Sequence, residues 1–103
     1  MWRLDKNYLG LQHEVPWLKQ LPSEYLRQHF RATTQPMEEP PEPRHLLNIL
    51  EMIGSDHFLM FATDYPHWDF DAPDGALPSI ISPALQERIF ATNAAEFYDF
   101  DRK

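Results

Sequence analysis

The sequence has no cysteine among its 103 residues. Neither a disulfide framework nor a thiolate zinc site can therefore form. Glycine is nearly as scarce, at 3 residues against 10 prolines, so proline supplies the punctuation between elements. Cations are also few: 9 Lys and Arg face 16 Asp and Glu, for a formal net charge of -7. That balance argues against an electrostatic footprint for nucleic acid or for an anionic membrane. No apolar run approaches the length of a membrane span, and the start Met1-Trp2-Arg3-Leu4-Asp5 lacks the apolar core of a secretory signal. A soluble, cytoplasmic protein of at most one domain is the expectation.

What is present is globular in character, with 43% hydrophobic and 14% aromatic residues. The chain is organised around Phe58-Leu-Met-Phe-Ala-Thr63, which runs directly into Asp64-Tyr65-Pro66-His67-Trp68-Asp69. An unbroken apolar run of this length, bounded by Gly54-Ser55-Asp56 and by Asp64, predicts a strand over about 58–63 that is buried on both faces of a parallel sheet. Asp64 then stands at the C-terminal mouth of that strand. Parallel α/β sheets and barrels place ligand chemistry at such mouths.

The remaining elements follow from periodicity. Leu4, Tyr8, Leu11, Val15 and Leu18 mark one face of a helix over about 2–14, with Pro16 as its limit. Pro22-Ser23-Glu24 opens a further helical turn, Tyr25 to His29, with Ser23 as a candidate cap. Phe30 to Gln35 alternates, carries two threonines and stops at Pro36, which predicts a strand over 30–35. Met37 to Pro43 holds three prolines and reads as a surface loop. Leu46, Ile49, Leu50 and Ile53 define the inner face of a helix over 44–53, with Gly54 at its exit. Ser82-Pro83 starts a helix over about 83–98, and 99–103 is a polar end. Alternating helices and strands predict parallel pairing through right-handed crossovers, yet two strands cannot by themselves flank the 58–63 strand.

Three segments resemble the amidohydrolase-related family, the branch of the metal-dependent amidohydrolases that includes decarboxylases and hydratases. They are Phe30-Arg-Ala-Thr-Thr-Gln-Pro-Met-Glu-Glu-Pro40, Leu59-Met-Phe-Ala-Thr-Asp-Tyr-Pro-His-Trp-Asp-Phe70 and Ile89-Phe-Ala-Thr-Asn-Ala-Ala-Glu-Phe-Tyr98. They are similar to the seventh strand, the eighth strand with its catalytic loop, and the closing helix of that family's TIM-type (β/α)8 barrel. The resemblance implies an α/β fold in which residues 1–103 form the C-terminal part of the barrel, about its last two β/α units.

By the same resemblance, Asp64 matches the aspartate that is a ligand or near-ligand of a catalytic divalent metal and can take a proton from metal-bound water. His67 and Trp68 line the mouth of the site, and Gln35 is a substrate-contact candidate. The family's metal is held mainly by a His-x-His pair and by single histidines on other strands. None of His13, His29, His45, His57 and His67 forms such a pair. A catalytic zinc takes three protein ligands, so zinc belongs to the full-length parent and none is expected on this chain alone. The implied activity is metal-dependent hydrolysis or decarboxylation of a small carboxylated or amide substrate, with the isolated chain inactive. A non-catalytic interaction module, docking through its first helix and strand edges, is the alternative; exposed core surfaces would drive self-association. Asp69, Asp71 and Asp74 lack the spacing of a calcium loop and read as a solvated acidic loop.

Overall fold

The computed structural model describes residues 1–100, which form two compact units divided after Phe30. Part of the polar end expected over 99–103 lies outside the described residues.

In the first unit, α1 (Trp2–Leu11) passes into a 3-10 turn at Gln12–Glu14 and stops before Pro16, whose missing amide cannot continue a helix. The second helix, α2, spans Pro22–His29. Its N-cap is Leu21 and not the Ser23 suggested by the sequence, because Pro22 occupies the first helical position and moves the cap back. Glu24 supplies the polar closure by accepting the Leu21 amide at 2.8 Å. Ser23 is instead buried, and its amide donates to Asp5 Oδ1 at 2.9 Å. That bond is the main reason the Asp5 carboxyl titrates below the ordinary carboxylate range. The expected apolar face of α1 is only partly covered. Tyr8, Val15 and Leu18 are half-buried, while Leu4 and Leu11 stay exposed, since within this unit α1 is covered by α2, the 3-10 turn and the segment at Leu18, whose carbonyl accepts the Tyr8 hydroxyl.

The second unit is built on two parallel strands, β1 (Ala32–Thr33) and β2 (Leu59–Met60), with Ala32 opposite Leu59 and Thr33 opposite Met60. Adjacent residues on a strand point to opposite faces. Both Leu59 and Met60 are buried, so β2 is covered on both sides as its apolar run predicts. The strands are shorter than the expected 30–35 and 58–63. Phe30 ends α2 at one side. Beyond Thr34 the ladder passes through a side chain: the buried Thr34 hydroxyl donates to the Ala62 carbonyl at 3.3 Å and accepts the Ala62 amide at 3.1 Å.

Between the strands, α3 (Pro43–Ile53) ends at Gly54, whose φ of 70° is the left-handed exit the sequence suggests. Leu46 is buried, with Leu50 and Ile53 half-buried on its side. Ile49 is 48% exposed, contrary to the expected inner face. At 3.6 residues per turn, position 49 lies on the flank of the stripe set by 46, 50 and 53.

The closing helix runs continuously from Pro83 to Tyr98 as α4 (Pro83–Glu87), a π turn (Arg88–Thr92) and α5 (Asn93–Tyr98). Ser82 caps it by accepting the Leu85 amide at 3.3 Å. In the π turn the Asn93 amide bonds Arg88 O, five residues back, which leaves Ile89 O without its usual i+4 donor. Ile89 O accepts the Phe61 amide at 2.8 Å instead. The Asn93 side-chain amide donates to Asp56 O at 2.7 Å and to Leu59 O at 2.9 Å. The edge of β2 away from β1 is thus satisfied by the helix, which answers how a two-stranded sheet flanks its buried strand. Ile81 and Ile89, both 1% exposed, complete the core with Leu46, Leu59, Met60 and Ala76. Each fully buried Leu or Ile side chain contributes about 2 kcal/mol through water release. No helix among the described residues is long and apolar enough to cross a membrane.

Candidate functional site

The end of β2 delivers Ala62 and Thr63 to Asp64, which adopts a left-handed φ of 56°. Aspartate tolerates this region better than most non-glycine residues because its short polar side chain bonds locally. The turn then closes tightly on itself. Asp64 O accepts the His67 amide at 2.8 Å, and His67 O accepts the Phe70 amide at 3.2 Å. Thr63 pins both ends: its hydroxyl accepts the Tyr65 amide at 3.2 Å and its carbonyl accepts the Asp71 amide at 3.0 Å. On the neighbouring strand, Gln35 follows β1 and its side-chain amide donates to the Asp69 carbonyl. The two strand ends therefore meet across this bond.

Within the loop, His67 Nδ1 bonds Asp69 Oδ1 and lies 4.0 Å from Asp64 Oδ2. The Asp69 hydrogen bond, reinforced by its charge and more weakly by that of Asp64, raises the His67 pKa above the ordinary imidazole value. The same bond holds the Asp69 carboxyl below the ordinary carboxylate range. Beside this cluster opens a cleft of about 370 Å³ whose lining includes Gln35, Met37, Glu38, Glu39, Trp68 and Asp71. A second groove, lined by Leu47, Leu50, Leu59, Leu85 and Ile89, is mostly apolar and lies beside the residues that enter β2. The polar chemistry is at the exit of the strand.

The four residues singled out from the sequence converge on this mouth. Asp64 and His67 are exposed, Trp68 is 86% exposed, and Gln35 is half-buried as a tether between the strand ends. Asp69 reads in the sequence as solvated, together with Asp71 and Asp74, yet its carboxylate is committed to His67 and its carbonyl to Gln35. The His-x-Asp spacing is the signal the sequence offers for it. Asn93 lies in a segment that carries the resemblance, but no role is assigned to it from the sequence: it is fully buried, its amide bridges two carbonyls, and among the described residues its Oδ1 has no hydrogen-bond partner.

Among the described residues, one cluster could supply three metal donors: Asp64, His67 and Asp69 offer ligand atoms within 4.8 Å of one another. His67 Nδ1 and Asp69 Oδ1 are bonded to each other, so a catalytic zinc placed among these three ligand atoms would have to break that bond; the Asp64 carboxylate, the second Asp69 oxygen and His67 Nε2 remain open. The cluster is a hydrogen-bonded imidazole–carboxylate pair beside one further carboxylate.

Residues 1–100 match the family described as Amidohydrolase, and the chain belongs to that family. The mixed helix-and-strand fold is consistent with a fragment of an amidohydrolase domain, which gives the chain a hydrolase-related parentage, and the family generally uses divalent metals. No curated protein matches the chain.

Proposed function

We propose that this chain is the C-terminal portion of an amidohydrolase-related (β/α)8 barrel and supplies one rim of its active site. β1 and β2 correspond to the last two barrel strands in this reading, and Asp64 is the inherited metal-facing carboxylate. The parent performs metal-dependent hydrolysis, or the related decarboxylation, on a small carboxylated or amide-bearing substrate in the cytoplasm. When bound, the divalent metal, with zinc first in order, polarises the substrate and acidifies water. The chain's own part is to hold an ionised carboxylate at a strand end and to line the pocket with His67, Trp68 and Gln35. Alone, it lacks the remaining donors and is inactive. The observation that carries this reading is the position of Asp64 at the exit of a parallel strand buried on both faces, in a chain whose residues 1–100 match the family.

The test is zinc titration by calorimetry and a hydrolysis and decarboxylation screen on the 103-residue chain, followed by the same assays after co-expression with a barrel portion carrying a His-x-His strand. Weak zinc binding and no turnover alone, with activity on complementation that Asp64→Asn abolishes, is the expected result. Tight stoichiometric zinc binding and turnover by the chain alone would overturn the fragment reading. Complemented activity that survives Asp64→Asn would remove Asp64 from the site.

A second reading, a non-catalytic interaction module, is favoured by one observation: Trp68, Tyr65, Trp2 and Trp17 are each more than two-thirds exposed. Its partners would be proteins or further copies of the chain, since the acidic charge disfavours nucleic acid and membrane surfaces. A monodisperse, cooperatively melting monomer would speak for such an autonomous module and against the fragment reading, and poor cooperativity would speak the other way.

A further inference from the structure

We infer that Asp69 is a positioning residue that fixes the His67 ring in its Nδ1–H form and presents Nε2 at the β2 mouth as an acceptor for a hydrogen-bond-donating ligand group, a hydroxyl or an amide N–H. The inference rests on the reading of the mouth as one rim of a binding site. A carboxylate can only accept hydrogen bonds, and a neutral imidazole carries one N–H and one bare nitrogen. Both carboxylates that face the ring stand on its Nδ1 side: Asp69 Oδ1 in direct hydrogen bond and Asp64 Oδ2 at 4.0 Å. The proton of the neutral ring is therefore held at Nδ1, and the bare lone pair is left at Nε2. Among the described residues no group bonds Nε2.

The arrangement is braced from the neighbouring strand. Gln35 donates to the Asp69 carbonyl, so the carboxylate that orients His67 is itself tied to the end of β1. The loop is closed behind it by the Asp71 amide on Thr63 O. Trp68, with its ring centroid 6.1 Å from that of His67, gives the acceptor an apolar neighbour. A side chain held by its far nitrogen with its near nitrogen bare is organised to meet a donor. Hydrogen-bond direction in this rim thus selects the donor face of an amide or an alcohol.

The experiment is long-range proton–nitrogen correlation NMR on the 103-residue chain with labelled histidine, at about pH 9, where imidazoles are neutral. His67 is expected to show the Nδ1–H form as the majority. Asp69→Ala is expected to return it to the Nε2–H form that dominates in free histidine side chains, and Asp69→Asn, whose amide oxygen still accepts, to restore Nδ1–H. The Phe61 amide resonance reports that the sheet persists in each variant. An Nε2–H majority in the parent chain, or an unchanged tautomer in Asp69→Ala, would overturn the inference. This readout needs neither metal nor barrel, so its failure is separate from that of the amidohydrolase-barrel reading, which the complementation assay decides.

Discussion

The Ile89 carbonyl accepts the Phe61 amide at 2.8 Å, a bond from helix to strand that the π turn makes available. Together with the Asn93 side chain on Leu59 O, it closes the β2 edge that β1 does not reach. Unpaired strand edges invite pairing with other chains, and covering them with a helix is one way proteins avoid it.

Asn93 is the residue on which this closure can be tested. Asn93→Ala leaves the Asp56 and Leu59 carbonyls without their shared donor, and a buried unsatisfied carbonyl costs roughly 1–3 kcal/mol. A loss of about 2 kcal/mol is expected in urea denaturation. Asn93→Asp should be worse, because it puts a charge against two carbonyl oxygens in a site only 1% exposed. An Asp variant as stable as the Ala variant would show that the side chain is not held there.

The His67–Asp69 pair predicts a definite pH response. His67 titrates above the ordinary imidazole value, so its contribution is complete below that value and is lost as pH rises through the elevated one. Asp69 titrates below the ordinary carboxylate value, so its contribution is complete above that value and is lost as pH falls through the depressed one. The pair is strongest between the two. Histidine chemical shifts should show His67 titrating above the ordinary imidazole value, and Asp69→Ala should return it toward that value. Asp64→Asn should move it in the same direction by less, since Asp64 stands farther away. A larger effect from Asp64→Asn would reverse the ranking of the two carboxylates.

The features legible in the sequence are those set by local chemistry. Gly54 and Ser82 sit at the helix ends where their conformational and capping properties place them, and the consecutive apolar residues of β2 announce burial on both faces. Asp64 can be placed because it directly follows that strand. What cannot be read is set by partners distant in sequence. Thr34 ends the ladder through Ala62, Asn93 reaches Leu59, and Gln35 reaches Asp69, with separations of 28 and 34 residues that no periodicity encodes. Ser23 departs from its expected capping role for a local reason, since Pro22 moves the cap by its own geometry.

The two helix-end residues give a paired prediction. Gly54→Ala places a Cβ at φ 70°, where a non-glycine residue costs about 1–2 kcal/mol. Ser82→Ala removes the acceptor of the Leu85 amide and should cost about 1 kcal/mol. Denaturant midpoints should fall in both, with additive losses in the double variant because the sites share no hydrogen-bond partner. A neutral Gly54→Ala would mean that α3 ends in a different conformation.

Arg88 joins the closing helix to the segment that enters β2, with Nη2 on Glu96 at 2.9 Å and Nε 3.6 Å from Asp56. His57 shares both acidic partners, through Nδ1 on Glu96 at 3.0 Å and Nε2 on Asp56 at 3.3 Å. The Arg88 side chain is 24% exposed, but Glu96 and Asp56 are 50% and 60% exposed, so solvent weakens the attraction. Exposed ion pairs typically contribute about 0.2–1 kcal/mol. A double-mutant cycle on Arg88→Met and Glu96→Gln should give a coupling energy in that range at low salt. Most of it should disappear at about 1 M salt, where the screening length falls to about 3 Å. Coupling that persists at high salt would mean that the Arg88–Glu96 bond is more shielded than its exposure implies.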